Sequence, residues 1–273
     1  MQNETIYIFG GAGSIGAELT RQLCRGDVGN NVFVFDINET EMFDLVEELR
    51  LDGRQVAGGV VDIRDRDALA RVFARTPDFV INAAARKHVT PMQETPMEAV
   101  SVNVQGVVNL LDFCRRQETK FIQISTDKVV QTASVMGATK KLAELIVRNA
   151  GYTSVRFGNV MGSRGSVIPI WQKQMDQGKP LTVTDANMQR YMMTIEEACS
   201  LVIDVMSMDD VDGKVVCLDM GERVKILDLA KKILGKEDGI RMIGMRPGEM
   251  LVERLMSEEE ESRAEKRGRF YII

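Results

Sequence analysis

The sequence predicts an α/β fold: a Rossmann-type doubly wound parallel sheet with a small carboxyl-terminal substrate-binding subdomain. Three observations carry that prediction. Short apolar runs alternate with helix-period segments through the first 157 residues, the pattern of parallel strands joined by crossover helices. A glycine turn, Gly10-x-x-Gly13-x-x-Gly16, stands between the first apolar run and the first helix. An acid, Asp36, closes the second run, 20 residues past Gly16.

The elements follow in order. Ile6–Phe9 is a buried strand, and the glycine turn leads into a helix that reaches Arg25. Val32–Asp36 is the second strand, with a helix over 39–50. Residues 56–61 make the third strand and 65–74 its helix. Residues 79–83 make the fourth strand, and one long helix is expected over Met97–Arg116. Phe121–Ser125 is the fifth strand, followed by a helix over Val135–Asn149. Beyond Gly151 the pattern loosens. Residues 153–157 read as a sixth strand, Gly158–Ile168 as a Gly/Ser loop, 196–208 as a helix, 215–218 as a short strand and 225–234 as a helix. The charged tail Ser257–Arg269 reads as a solvated helix or as disordered chain. The domain reading is therefore a dinucleotide-binding unit over 1–157 that also receives 190–220. The smaller part comprises 158–189 and 221–273 and caps the sheet.

Composition narrows the function classes. Of 273 residues, 44% are apolar and 27% charged, close to globular averages. Lys and Arg number 35 against 40 Asp and Glu, a net charge of −5. That balance lacks the broad positive field that binds nucleic acid or anionic lipid. No apolar run approaches the length of a membrane span, and the first residues lack the pattern of a secretory leader. Cys24, Cys114, Cys199 and Cys217 sit in apolar segments without a C-x-x-C pair, and His88 is the sole histidine. Buried thiols, no metal site and a cytoplasmic location are expected.

Three constellations carry chemistry. In the glycine turn, Gly10, Gly13 and Gly16 let backbone approach a pyrophosphate, and Ser14 and Ile15 open a helix whose free N–H groups favour anions. Asp36 can accept the ribose hydroxyls of NAD and repel the extra phosphate of NADP, so NAD is favoured over NADP; a helix N-cap is its bland alternative. Asp62 and Ile63 end the third strand and can touch the adenine, while Ala83 and Ala84 end the fourth, where small side chains let a cofactor pass; simple strand-end packing is the alternative for either. Ser125-Thr126-Asp127-Lys128 stands at the carboxyl end of the fifth strand, where open α/β sheets place reacting groups. The adjacent acid and amine suit proton transfer; a surface turn with a local ion pair is the alternative. Met136 and Lys140 lie four apart on one helical face, with a gap-filling methionine and an exposed lysine as their alternatives.

Together these residues resemble an extended short-chain dehydrogenase/reductase, and within it the polysaccharide-biosynthesis branch of UDP-N-acetylglucosamine 4,6-dehydratases. The matching stretches include Ala84-Ala-Arg-Lys-His-Val89, Glu98-Ala-Val-x-x-Asn-Val104, Ser125–Lys128, Val135–Lys140, Arg156–Val160, Gly162–Pro169, Arg190–Thr194 and Arg246-Pro-Gly-Glu249. They run through nearly the whole chain in family order. Many relatives carry a membrane-spanning amino-terminal region, whereas this chain opens directly on the dinucleotide fold. The superfamily's usual Tyr is Met136 here, a departure that matches the subtype retaining configuration at carbon 5. Gln131-Thr-Ala stands where relatives often have Asn-Pro.

The resemblance implies a reaction in three parts: oxidation at carbon 4 of the sugar by NAD, loss of water across carbons 5 and 6, and reduction at carbon 6. By the same resemblance Thr126, with Ser125, anchors the 4-hydroxyl, Asp127 protonates the departing 6-hydroxyl, and Lys128 removes the carbon 5 proton, which requires a lowered pKa. Lys140 binds the nicotinamide ribose. Lys87, Asn159, Arg164, Arg190, Arg246 and Glu249 are implied to bind the UDP-sugar, the arginines through forked bonds to its diphosphate, with Val167 lining the nucleotide pocket. A homodimer is implied through the helices over 97–116 and 135–149. A 5-inverting dehydratase/epimerase, a 4-epimerase and a catalytically silent NAD-binding regulator stay open as alternatives.

Overall fold

The computed structural model describes residues 4–25, 31–236 and 238–273; the first three residues, read above for a leader, lie outside them. In chain order the main elements are β1 (Thr5–Phe9), α1 (Ser14–Arg25), β2 (Asn31–Asp36), α2 (Glu39–Leu51), β3 (Val56–Val60), α3 (Arg66–Val72) and β4 (Phe79–Asn82). Then come α4 (Val89–Glu94), α5 (Pro96–Val100), a π-helical turn at Ser101–Gly106, α6 (Val107–Arg116), β5 (Lys120–Ile124), α7 (Val135–Asn149) and β6 (Thr153–Arg156). The rest comprises β7 (Asn159–Val160), α8 (Val167–Asp176), β8 (Leu181–Val183), β9 (Gln189–Arg190), β10 (Met192–Met193), α9 (Ile195–Met206), β11 (Val215–Leu218), β12 (Val224–Lys225), α10 (Ile226–Leu234), β13 (Ile240–Met242), α11 (Glu258–Arg263), β14 (Glu265–Arg267) and β15 (Phe270–Ile272).

The main sheet has nine strands in the order β14-β15-β11-β6-β5-β4-β1-β2-β3. From β3 to β11 all pairs are parallel. Strands covered by helices on both faces need apolar residues on both, and all five residues of β1 are buried. Ile6 and Ile8 join Leu19, Leu45 and Val202 in one core. Tyr7 and Phe9 point the other way, to Leu69, Leu110 and Val147. Strand order reverses between β1 and β4, which opens a crevice at their carboxyl ends, where such sheets bind ligands.

The long helix expected over Met97–Arg116 runs without a break from Pro96 to Arg116, with the π-helical turn at Ser101–Gly106 in its middle. The wider turn re-aims Asn103. Its amide donates to the Arg86 carbonyl at 3.0 Å and to Thr139 Oγ1 at 3.1 Å, and its carbonyl accepts from the Arg86 N–H at 2.8 Å. The chain leaving β4 is thereby clamped to α7. Helix α4 before it was not anticipated, because only Met92 of its six residues is buried and no apolar period marks it.

The smaller part also differs from the reading. The Gly/Ser loop 158–168 contains β7 and the start of α8. Within 190–220, β9 pairs β12 and β10 pairs β7, while β11 joins the main sheet and α9 packs against α1. A separate core forms around the fully buried Trp171 with Leu181, Val183, Met188 and Ile226. The charged tail holds the solvated helix that was expected, α11, which opens on a capping box between Ser257 and Glu260 and buries only Glu260; β14 and β15, which were not expected, extend the main sheet antiparallel. The tail thus joins the main sheet through the pairing of β15 with β11, and Glu260 of α11 is buried against it by Arg156. Cys114, Cys199 and Cys217 are buried, but Cys24 is only half-buried; all four are free thiols.

Candidate active site

The glycine turn forms a cradle that side chains would fill. Gly10 has φ +71°, and a Cβ on it would lie 2.4 Å from the Ala84 nitrogen. A Cβ on Gly16 would lie 2.2 Å from the Gly10 carbonyl oxygen. The first contact brings the β1 turn against the end of β4, at Ala83 and Ala84. The second packs the first turn of α1, carrying Ser14 and Ile15, onto the loop. Gly13 continues it into the helix, accepting the Ala17 N–H at 2.8 Å.

Asp36 ends β2 beside this cradle. Its Oδ2 accepts the Ala12 N–H at 3.1 Å and its Oδ1 the Asn38 N–H at 2.9 Å. The N-cap of α2 is Asn38, so capping is not what Asp36 does. Asp62 is gripped by Arg64, whose Nε lies 3.0 Å from either carboxylate oxygen and which also reaches Glu98. That bond holds the Asp62 carboxyl below the usual range. Ile63 lies buried beneath Gly106, where a Cβ would come within 2.4 Å of its Cδ1.

At the end of β5 the four-residue run divides. Ser125 is buried, and its Oγ donates to Glu144 at 2.7 Å, a bond that ties the loop to α7. Thr126 is half-buried and donates to Asp127 Oδ1 at 3.0 Å. Asp127 is buried, and its Oδ2 has no partner among the described residues. Lys128 Nζ lies 3.0 Å from Asp127, 3.0 Å from Glu253 and 3.3 Å from Asn159.

Electrostatics sort these groups. Burial pushes the Asp127 carboxyl up to about 6, with Glu253 adding to the rise and Lys128 opposing it. Burial works against the Lys128 charge, but Asp127 and Glu253 outweigh it and hold its pKa above the usual lysine value. The lowered pKa expected for Lys128 is therefore overturned: its neighbours are acids, not cations. Burial also opposes charge on Glu253, yet Lys128 and Arg190 win and keep that carboxyl below its usual value.

Glu253 was missed by the sequence reading. It follows Arg246-Pro-Gly-Glu249, and nothing in its spacing points to the site. The cause is tertiary: the segment runs alongside β9, with a bridge between Gln189 and Val252, and so brings Glu253 within 3.2 Å of Arg190 Nε. Asp127, Lys128, Asn159, Val167, Arg190, Arg246, Glu249 and Glu253 all line one cavity of about 250 Å³ between the sheet and the smaller part. Within it, Glu249 accepts the Arg246 N–H at 2.9 Å.

Two expected substrate residues stand elsewhere. Arg164 lies against the glycine cradle, and Lys87 Nζ donates to its carbonyl at 2.8 Å. On α7, Lys140 is buried and donates to the Ile124 carbonyl at 2.5 Å; burial pushes its pKa down to about 8. Met136 is packed with Met92 and Ala99, a core side chain with no proton to exchange. Among the described residues no cluster of three or more metal-ligating side chains is found, and no helix is long and apolar enough to cross a membrane.

Comparison with known proteins follows the same outline. Residues 6–273 match the polysaccharide biosynthesis protein family. The capsular polysaccharide biosynthesis protein CapD of Staphylococcus aureus is 38% identical over 278 residues, covering 95% of this chain and 46% of CapD. The chain thus spans about half the length of that relative. A UDP-glucose 4-epimerase of Rickettsia prowazekii is 32% identical, covering 99% of this chain and 83% of its own. Among solved structures, Pen from Bacillus thuringiensis superposes with a TM-score of 0.93 at 32% identity, covering 100% of this chain and 88% of Pen. The dTDP-glucose 4,6-dehydratase DesIV from Streptomyces venezuelae, with NAD and TYD bound, shares the fold at a TM-score of 0.80 and 21% identity, over 95% of this chain and 90% of DesIV.

Proposed function

This chain belongs to the polysaccharide biosynthesis protein family, and we propose that within it the chain is an NAD-dependent nucleotide-sugar 4,6-dehydratase, a hydro-lyase. Its substrate on this reading is UDP-N-acetylglucosamine, and its product the 4-keto-6-deoxy sugar for surface-polysaccharide synthesis in the cytoplasm. The observation that carries the reading is the Asp127–Lys128–Glu253 cluster, which lines the cavity at the carboxyl end of β5. Loss of water from a sugar needs an acid for the departing hydroxyl and a base for the neighbouring carbon. Simple inversion at carbon 4 needs neither.

The cradle fits a dinucleotide: two glycine positions leave no room for a Cβ, and Asp36 stands beside them. Gly10, Gly13, Ser14, Ile15 and Gly16 would hold the pyrophosphate, Asp36 the adenosine ribose, and Lys140 the nicotinamide ribose. Bound NAD supplies a reversible hydride acceptor. Asp127, raised toward neutrality in its buried place, carries the proton for the 6-hydroxyl. Thr126 orients the 4-hydroxyl. Lys128 stays charged and lends its charge to the enolate that forms when carbon 5 loses its proton. Glu253, ionised and 3.0 Å from Lys128, takes that proton in place of Lys128. Asn159, Arg190, Arg246, Glu249 and Val167 bind the UDP moiety. A homodimer through α5–α6 and α7 is part of the same reading, supported by the exposed Met97 and Leu142 on those helices.

The test is incubation with UDP-N-acetylglucosamine in heavy water, read by mass spectrometry and proton NMR. Loss of one water, with deuterium at carbon 5 and retained configuration there, is the expected result. Inverted configuration would make the chain a 5-epimerising dehydratase, and a 4-epimer without water loss would overturn the reading. The core packing of Met136, which leaves no tyrosine hydroxyl as proton acceptor, favours a second reading as a silent NAD-binding regulator; bound NAD with no turnover of any UDP-sugar would select it. The cradle itself makes a further prediction. Gly16→Val should eliminate the calorimetric binding of NAD while leaving UDP binding intact, since the added side chain meets the Gly10 carbonyl and not the cavity.

A further inference from the structure

The segment from Gly162 to Gly165 is a strap. It leaves β7 and enters α8, and both end glycines have positive φ, +74° and +72°. Between them the chain crosses onto the dinucleotide cradle. The Arg164 N–H donates to Ser14 Oγ at 3.0 Å. Its guanidinium donates to the Ala12 carbonyl, inside the cradle, and pairs with Glu41 on the first turn of α2. From the opposite side Lys87 holds the Arg164 carbonyl, and the His88 ring lies beneath Gly165, where a Cβ would come within 2.5 Å of Cε1. The next residues, Gly165, Ser166 and Val167, line the nucleotide-sugar cavity. One short segment therefore touches both ligand places.

We propose that Arg164 is a clamp for the dinucleotide pyrophosphate, and that its strap makes binding at the nucleotide-sugar cavity and at the cradle mutually reinforcing. This rests on the dinucleotide reading of the cradle. The physical case is one of charge and position. A guanidinium anchored on a backbone carbonyl at the amino end of α1 has spare donors, because five N–H groups exceed what Ala12 and Glu41 accept. The helix end beside it favours an anion. Glu41 neutralises the guanidinium in the absence of that anion and is the partner it exchanges. Arg164 keeps about half of its side-chain surface exposed, so the exchange needs a rotamer change and no unfolding. A ligand packed on Gly165–Val167 holds the strap down, and by linkage the dinucleotide then holds the sugar nucleotide equally.

The experiment is calorimetry on the full chain with NAD, ADP-ribose, adenosine and UDP, comparing wild type, Arg164→Ala and Arg164→Lys. Arg164→Ala should weaken NAD and ADP-ribose by at least about tenfold, the worth of a hydrogen bond to a charged group, and leave adenosine unchanged. UDP alone should bind Arg164→Ala as it binds wild type. In wild type, saturating UDP should tighten NAD several-fold, and Arg164→Ala should lose that coupling. Arg164→Lys should recover part of the affinity. If UDP affinity falls instead, Arg164 serves the substrate diphosphate and the clamp is wrong. Unchanged NAD affinity in Arg164→Ala overturns the clamp while sparing the dinucleotide reading. A wild-type chain that binds neither NAD nor NADP overturns both.

Discussion

Asp127→Asn should lower kcat for water loss by about 10²–10⁴-fold, the usual worth of a positioned general acid, with little change in UDP affinity. The side chain keeps its shape and its place beside Lys128, but it cannot serve as the general acid that the dehydratase reading requires of it. The wild-type pH profile supplies an independent check. Burial raises the Asp127 pKa to about 6, so the acid form dominates below that value and kcat/KM should fall as pH rises through it. In Asp127→Asn that limb should vanish. Stability should move the other way. Between about pH 4, where an unfolded Asp titrates, and about 6, the native state binds more protons than the unfolded state, so the folded chain loses stability as pH rises across that window. Asn carries no such penalty, and the variant should melt higher than wild type at pH 8 relative to pH 4. A variant equally active at pH 8 and equally pH-dependent would remove Asp127 from the chemistry.

The same residue shows how unevenly the structure could be read from sequence. The parallel sheet was legible because β1, β2 and β4 announce themselves by continuous apolar runs, and because only glycine fits where Gly10 and Gly16 pack backbone on backbone. Asp127 and Lys128 were legible as a pair because they are adjacent. Their charge states were not, since these depend on Glu253, which lies 125 residues from Lys128. A sequence shows a lysine beside an aspartate; it does not show a second carboxylate arriving through the pairing of residues 189 and 252. The π-helical turn was equally hidden, because nothing in the spacing of Ser101–Gly106 marks the one inserted residue it accommodates. Arg164 followed the same logic in reverse. Its motif placed it with the substrate, and tertiary packing set it on the cradle.

The tail is the clearest case of tertiary override and gives the largest stability prediction. Arg156, at the end of β6, is fully buried. Its guanidinium meets Glu144 of α7 at 2.5 Å and Glu260 of α11 at 2.8 and 2.9 Å, and donates to the Leu255 carbonyl at 2.9 Å. Removing Arg156 alone would leave two carboxylates buried against each other with only Lys141, at 3.6 and 3.4 Å, to offset them. Breaking a buried pair in this way costs about 3–5 kcal/mol, which for a chain of this size lowers the melting temperature by roughly 10 °C. Arg156→Met should show that loss in a thermal melt at pH 7. Arg156→Met combined with Glu144→Leu and Glu260→Leu should recover most of it, because an apolar cluster of similar volume leaves no buried charge unpaired, and Lys141, which loses both partners, is partly exposed to water. Acid should reach the same bonds. Burial opposes the Glu260 charge, but Arg156 holds its carboxyl down at about 2. Its stabilisation is therefore complete above about 4.5, the ordinary Glu range, and is lost as pH falls toward 2. The loss should also travel. Glu144 accepts the Ser125 hydroxyl at 2.7 Å, and Ser125 precedes Thr126 and Asp127 on the loop at the end of β5. Arg156→Met should accordingly raise hydrogen exchange at the Ser125 and Asp127 amides, which donate to the Val155 and Phe157 carbonyls, before the chain melts. Unchanged exchange there, in a variant that nonetheless melts early, would confine Arg156 to anchoring the tail.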